Sequence, residues 1–429
     1  MNNNTTRIRL IVMLFLEFAV WGAYLTSMGS YLAKIGLGPK IWLFFAMQGI
    51  VSIFMPAIIG IIADKYIPAQ KTLSICHIVA GACMLGAGLY CAYTPEPQFG
   101  PLFTLYSISI AFFMPTIGLS NSVSYKELER VGMDPVKDFP PIRVFGTIGF
   151  ICSMLFVNFM RNGSGEQFQN SYAQFLVSGA LSIVLSGYAL TMADCPVNKG
   201  TSGQSLARAM GLDAFKLFKR KEMALFFLFS MLLGASLQIT NGYANTYITS
   251  FKDNPMFATT WGANNANALI SLSQVSETLC ILLIPFFMRK FGIKGVMSIS
   301  MFAWVLRFGL FGAGNPGGGV WMFVLSCIVY GMAFDFFNIS GSLYVNKETD
   351  KSIQSSAQGL FMLMTNGLGA TLGTWAAGRV VNALVYKPQA LGQSGNWPAA
   401  WYTFAAYALV VAILFVIFFK NPEKQKTEA

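Results

Sequence analysis

The sequence predicts an all-α integral membrane protein of twelve transmembrane helices, arranged six and six. Three observations carry this reading. The 429 residues are 55% hydrophobic and only 11% charged, and the mean hydropathy is +0.55. Apolar segments of about 20 residues, the length that crosses a bilayer, recur along the whole chain. The Lys and Arg residues fall mainly in alternate connections between those segments. A soluble domain carries about 25% charged residues. A water-soluble fold could not cover this much apolar surface with so little charge, so the bilayer is the solvent for most of the chain.

In chain order the apolar segments centre on 10–33, 41–63, 72–93, 101–121, 141–160, 172–192, 223–248, 265–287, 296–314, 320–343, 357–382 and 400–419. The first begins behind a basic N-terminus and mimics a signal peptide. Its apolar run continues past Trp21 to Leu32 with no A-x-A cleavage pattern, and it contains Glu17, so it reads as a retained helix. Pro56, Pro115, Gly146, Gly149, Gly331, Gly367 and Gly369 interrupt the runs. Spanning helices tolerate them because neighbouring helices satisfy the freed backbone groups.

The formal net charge is +11. The charges lie in short stretches between apolar runs, with no basic patch or tail, which argues against a nucleic-acid partner and for cationic loops at a membrane face. With a cytoplasmic N-terminus, 21 of the 29 Lys and Arg residues fall in inside loops and 6 in outside loops, while Arg143 and Arg307 lie within spans. The opposite orientation inverts the bias, so both termini are expected in the cytoplasm. Residues 193–222 form the longest polar stretch, and 195–221 within it read as a cytoplasmic linker. They divide the chain into an N-terminal bundle, 1–194, and a C-terminal bundle, 222–429, and Leu206 to Phe218 has the spacing of a short interfacial helix. The seven cysteines lie mostly within apolar runs, and no C-x-x-C pair points to a metal or a disulfide framework.

The informative residues are polar ones inside the spans. A charge at the bilayer centre costs at least about 2.5–3.5 kcal/mol on insertion scales. Glu17, Arg143, Glu277 and Asp335 lie deep, with Arg307 a weaker case; for each the alternative is a structural ion pair or a side chain that snorkels from a helix end. Arg143 and Thr147 share a helix face, with Phe150 one turn on. Gln238 and Asn241 are three apart, as are Gln274 and Glu277. Tyr330 and Phe334 are four apart, followed by Asp335. Residues at these spacings share a face, so four helices each present a polar or polar-aromatic stripe, as around one wet cavity. The inventory suits a neutral, flat, hydroxyl-rich solute. Carboxamides and carboxylates take vicinal hydroxyls, and aromatic faces stack a base for about 1–3 kcal/mol; ordinary packing is the alternative for the aromatics. The single histidine, His77, lies apart from this set and reads as structural. No nucleophile elbow, zinc-protease motif or phosphate loop occurs, so nothing points to an enzyme.

Gly60-Ile-Ile-Ala-Asp64-Lys65 follows the second span and resembles the G-x-x-x-D-[RK] signature of the major facilitator superfamily. That resemblance implies a 6+6 fold with a central cavity and an acidic residue that steadies a gate. The stretches Asp138-Phe-Pro-Pro-Ile-Arg143-Val-Phe-Gly-Thr147-Ile-Gly-Phe150, Leu237-Gln-Ile-Thr-Asn241 and Tyr330-Gly-Met-Ala-Phe-Asp-Phe-Phe-Asn338 are similar to the bacterial nucleoside:proton symporter family. So are Met55-Pro56, Ala357-Gln-Gly359 and Met364-Thr-Asn-Gly367. The similarity runs from about residue 16 to 382 and is weak over 161–173, 195–207 and 384–399, which read as loops.

The family resemblance implies proton-coupled uptake of purine and pyrimidine nucleosides, such as uridine and adenosine, across the bacterial inner membrane. It implies a lipid-embedded monomer that needs no cofactor beyond the proton gradient. It assigns Arg143, Thr147, Gln238, Asn241, Gln274, Glu277, Tyr330, Phe334 and Asp335 to the substrate site, beside Phe150. Ser236 departs from the family pattern, which carries Glu there. No histidine lies in the expected cavity, so the proton carrier is expected to be a carboxylate: Asp335 first, then Glu277, with Glu17 in reserve, exchanging its proton for contact with Arg143. A carrier for another hydroxyl-rich solute such as a sugar, or a membrane sensor on the same fold, are the competing readings.

Overall fold

A computed structural model of the chain describes residues 3–195, 197, 212–350 and 353–419. Among the described residues the secondary structure is helical, apart from one isolated bridge between Arg161 and Gln167. The main helices are α1 (Asn3–Gly22), α2 (Met28–Lys34), α3 (Ile41–Lys65), α4 (Ala69–Tyr93), α5 (Phe99–Arg130), α6 (Pro135–Phe159) and α7 (Ala173–Ala189). They continue with α8 (Lys221–Ser250), α9 (Ala266–Ala313), α10 (Val320–Glu348), α11 (Gln354–Met362), α12 (Ala370–Val381) and α13 (Trp397–Phe418). Among the described residues, eight helices are long and apolar enough to cross a membrane, and the 17-residue α7 is a shorter apolar helix. Apolar side chains exposed along α13, among them Val410, Ile413, Ile417 and Phe418, are those a lipid-facing helix presents.

Several of the expected segments take a different local form. The run 10–33 is not one helix: α1 ends at Gly22, and Ala23–Ser27 form hydrogen-bonded turns before α2. The Ser27 hydroxyl is engaged there with Gln174 Oε1 at 3.0 Å. The segments 265–287 and 296–314 lie in a single hydrogen-bonded run, α9, broken at Gly292, whose φ of 64° and ψ of 178° suit glycine alone. The expected loop 384–399 is helical in its first part. Beyond α12 the chain passes through a π-helical stretch, Asn382–Tyr386, and a further turn, Lys387–Ala390. The interfacial helix expected over 206–218 lies partly outside the described residues; from Leu212 to Lys219 the chain is a 3-10 helix.

Contacts divide the chain into two units, one within Met1–Gly38 and Ile50–Leu206, the other within Pro39–Gly49 and Ala207–Ala429. In the first unit α1 packs on α6, and α4 packs on α5 and α7. Glycines set the closest approaches. A Cβ on Gly149 would run into the Phe15 carbonyl, and one on Gly22 into Phe150. Arg7 and Asp138 pair at 2.6 Å at one end of the α1–α6 contact. Serines supply the cross-links: Ser178 donates to the Val20 carbonyl at 2.8 Å, Ser182 to that of His77 at 2.9 Å, and Ser186 to that of Ser74 at 2.8 Å.

In the second unit α9 packs on α10 and α13, and α8 packs on α12. Gly369 and Gly373, four apart, let α12 and the π-helical stretch before it approach Met231 and Ala235 of α8, the small-residue packing expected where lipid supplies no hydrophobic drive between helices. Ser300 donates to the Ala333 carbonyl at 2.5 Å, and Ser326 to that of Arg307 at 3.0 Å. Arg220 and Glu348 join the start of α8 to the end of α10 at 3.0 Å.

Candidate functional site

The second unit gathers most of the polar residues singled out from the sequence. Gln274 and Glu277 lie half-buried on one face of α9, and Tyr330, Phe334 and Asp335 lie opposite on α10. Gln274 and Glu277 are both neighbours of Tyr330, and Glu277 is the charged neighbour of Asp335. The Tyr330 and Phe334 rings run almost parallel, 4° apart, with centroids separated by 5.8 Å. They belong to successive turns of one helix, so together they extend an aromatic surface along it. Trp304 meets Tyr330 edge-on at 6.1 Å.

Arg307 fixes this cluster from below. It is fully buried, its Nη1 donates to the Ser326 carbonyl at 2.7 Å, and its guanidinium carbon lies 4.6 Å from the centre of the Tyr330 ring. A cation over a desolvated aromatic face is worth about 2 kcal/mol. The weakest of the deep charges in the sequence reading is therefore a fully buried cation and the support of a candidate site residue.

Two buried acceptors stand out. Gln238 Oε1 and Asp335 Oδ2 have no hydrogen-bond partner among the described residues. A buried polar atom left unpaired costs about 1–3 kcal/mol, so each is a place where a donor from outside the protein would be stabilised. Gln238 and Asn241 sit on α8, which is tied to the start of α9 by Asn245 Nδ2 donating to Asn267 Oδ1 at 2.8 Å. Ser236, the departure from the family pattern, is buried on the same helix.

In the first unit Arg143, Thr147 and Phe150 follow one another along α6, and the first and last rest against α1. The Arg143 guanidinium lies 3.9 Å from the centre of the Phe18 ring, and Phe150 meets Trp21 edge-on at 6.2 Å. Glu17 is next in chain to Phe18 and fully buried. Its carboxylate oxygens meet His77 Nε2 at 2.8 Å and the Thr116 hydroxyl at 2.6 Å. The histidine read as apart from the polar set thus pairs directly with one of its carboxylates. Sequence spacing cannot reveal a pair joined across two helices. The serine repeat at 178, 182 and 186 on α7 is the available signal, since it marks the face that meets α1 through Ser178 and α4 through Ser182 and Ser186. The motif residues Gly60, Asp64 and Lys65 occupy the last turns of α3. Asp64 is exposed there, and the N-cap of the following helix is Pro68, without a side-chain cap.

Replacing Arg307 by Met keeps much of its volume but removes the guanidinium from the Ser326 carbonyl and the Tyr330 ring. A loss of about 1.5–3 kcal/mol is expected, the range for hydrogen bonds to charged groups, read as a lower melting temperature in detergent. A melting temperature equal to wild type would mean that this guanidinium does not hold α9 to α10.

Residues 4–424 match the family model described as nucleoside H+ symporter. The chain is 45% identical to the nucleoside permease NupG of Escherichia coli strain K12 over 418 residues, 96% of each chain. It is 44% identical to the xanthosine permease of the same organism over 427 residues, 98% of each. The crystal structure of the nucleoside transporter NupG superposes with a TM-score of 0.86 at 45% identity, covering 98% of this chain and 100% of that one. A match across almost the full length, in sequence and in backbone, shows that this chain belongs to the nucleoside H+ symporter family.

Proposed function

We propose that this chain imports purine and pyrimidine nucleosides, uridine and adenosine among them, together with protons, by alternating access across the bacterial inner membrane. The observation that carries the site is the pair of unpartnered buried acceptors, Gln238 Oε1 and Asp335 Oδ2, in the unit that holds the parallel Tyr330 and Phe334 rings. A nucleoside supplies what both features call for: hydroxyl donors on its sugar and a flat face on its base.

Twelve crossings are the count we favour. The 48 residues of α9 would extend about 72 Å at 1.5 Å per residue. That is more than twice a hydrocarbon core of about 30 Å, so the glycine break at 292 marks two crossings. The pairs α1–α2 and α11–α12, with α7, supply the remaining ones beyond the uninterrupted helices. The excess of Lys and Arg in alternate loops supports cytoplasmic termini. A fluorescent protein that matures only in the cytoplasm, fused behind Ala429, is expected to be bright; a dark but fully expressed fusion would reverse the orientation.

We assign recognition residues within each unit separately. In the second, Gln238, Asn241, Gln274 and Glu277 bind the ribose hydroxyls, and Tyr330 and Phe334 stack on the base. In the first, Arg143, Thr147 and Phe150 form the corresponding stripe. Ribose is what the substrates of a broad-specificity carrier share, so the polar groups act on the sugar and the aromatics tolerate either base class. Unlabelled nucleosides are expected to compete for uptake of labelled uridine into proteoliposomes, and free uracil or adenine to compete poorly. Glu277→Gln and Gln238→Ala are each expected to weaken binding by about 1–3 kcal/mol. Inhibition by uracil equal to that by uridine would defeat this division of labour.

Asp335 is the proton carrier we favour. An ionised Asp335 sets a second negative charge beside Glu277, and like charges repel strongly where water is scarce. A proton on Asp335 removes that repulsion and turns one carboxyl oxygen into a donor. Asp335→Asn imitates the protonated form permanently. It is expected to keep uridine counterflow, which needs no net proton movement, and to lose accumulation driven by a pH gradient. Accumulation at the wild-type level in that variant would pass the role to Glu277 or Glu17.

A further inference from the structure

We propose that Glu17 and His77 form a second proton-binding site, built entirely within the first unit and separate from the carboxylates of the second. Its use in transport rests on the symport reading above, while the site itself rests on geometry. Four helices converge on it. Glu17 comes from α1, His77 from α4, Thr116 from α5 and Ser182 from α7, and Glu17 and His77 are wholly buried. The chain contains no other histidine.

Counting hydrogens shows why this cluster can gain and lose a proton without coming apart. Glu17 Oε2 and His77 Nε2 are 2.8 Å apart, and His77 Nδ1 and Ser182 Oγ are 3.0 Å apart. Ser182 Oγ also lies 2.9 Å from the His77 carbonyl. Ser182 therefore has one hydroxyl hydrogen and two acceptors within reach. In the protonated form both ring nitrogens carry hydrogen. Nε2 donates to the Glu17 carboxylate, Nδ1 donates to Ser182, and Ser182 donates to the His77 carbonyl. The cluster is then neutral overall. When the Nδ1 proton leaves, the Ser182 hydroxyl rotates to donate to Nδ1, and Nε2 still donates to Glu17. One proton has moved, no heavy atom has shifted, and one net negative charge remains. A cluster with a hydrogen-bonded arrangement for both states is a proton-binding site rather than a fixed structural pair.

The departing proton needs an acceptor, and water is the one implied. Ser182 borders a narrow void lined also by Tyr24, Ser109, Phe113 and Ser178, with no room for a water molecule in this conformation. The Tyr24 hydroxyl is buried there without a hydrogen-bond partner among the described residues. Three serine hydroxyls and an unpartnered phenol are the polar partners that a water entering the void would require. Proton exchange at His77 is thereby tied to conformations in which the α1, α4, α5 and α7 contact loosens. The other ionisable groups nearby are the Cys76 thiol beside Glu17, Tyr106 packed edge-on against Tyr24, and Arg143 over Phe18.

A single histidine makes the test direct. The full-length transporter, labelled with 15N-histidine and held in lipid nanodiscs, gives one imidazole spectrum with no assignment problem. In spectra recorded over a range of pH, the two ring nitrogens are expected to pass from both protonated at the acid end to Nε2 protonated alone at the alkaline end. In Glu17→Gln the doubly protonated form is expected to be lost over that range. A spectrum that does not change with pH in wild type, or one that titrates identically in Glu17→Gln, would overturn the site. In proteoliposomes, His77→Gln keeps a hydrogen-bonding side chain but cannot hold the extra proton. Its pH profile of gradient-driven uridine uptake, normalised to its own maximum, is expected to be flatter than wild type; a superimposable profile removes the site from the transport cycle. If wild type moved no nucleoside, the transport reading would fail while the spectrum still decided the proton site.

Discussion

The structure depends on one constraint: inside a bilayer, polar groups must find their partners within the protein. Lipid gives helices no hydrophobic reason to associate, so close packing of small residues and hydrogen bonds between helices do the work. Helix α7 shows the solution in its plainest form. Gln174, Ser178, Ser182 and Ser186 recur every four residues, and they reach Ser27, the Val20 carbonyl, the His77 carbonyl and the Ser74 carbonyl in turn. Each serine bonds a backbone carbonyl of a neighbouring segment. The second unit repeats the device with different residues, through Ser300 on Ala333 and Ser326 on Arg307. The short hydroxyl arm brings backbones close, and the glycines at 22, 149, 369 and 373 make the approach sterically possible.

Against this background of satisfied groups, exceptions carry meaning. The two units treat their buried carboxylates differently. Glu17 is matched on both oxygens by His77 and Thr116, so its site is complete without substrate. Asp335 leaves one oxygen unpaired and has another carboxylate as its charged neighbour. A completed site changes state by gaining or losing a proton. An incomplete one changes state by taking any donor, whether a proton or a ligand hydroxyl. The cations differ in the same way. Arg307 is locked to a carbonyl and an aromatic ring in the dry interior, whereas Arg143 is only half-buried and rests on Phe18.

How much of this was legible in the sequence follows from the distance over which each signal acts. Spans were legible because twenty apolar residues in a row are a local property. Stripes such as Gln274 with Glu277 and Tyr330 with Phe334 were legible because a helix puts residues three and four apart on one face, and the structure brings those two stripes together. Pairings between helices were not legible. Nothing in spacing joins Glu17 to His77, sixty residues apart, or tells that Arg307 lies beneath Tyr330. Breaks were half-legible. Gly292 sits among Arg289, Lys290 and Lys294, so a turn was expected there, but the hydrogen-bonded run across it was not. The helical extension to Ala390 was missed because Lys387 and Pro388 look like loop residues, whereas proline at the start of a helical turn costs nothing.

The unpaired oxygen of Asp335 also bears on why a proton and a nucleoside should travel together. An acceptor buried without a donor is unfavourable by about 1–3 kcal/mol whichever donor is missing. If a sugar hydroxyl alone relieved it, substrate would bind an ionised Asp335 beside Glu277 and bring two charges into a closing, water-poor site. If a proton alone relieved it, the acceptor on Gln238 would still be short of a donor. Only with both present are the acceptors satisfied and the charge reduced at once. On the assignment proposed above, coupling then needs no dedicated relay between distant sites. It follows from a site whose hydrogen-bond count closes when substrate and proton are bound together, and from a low-dielectric interior that makes every partly filled state costly.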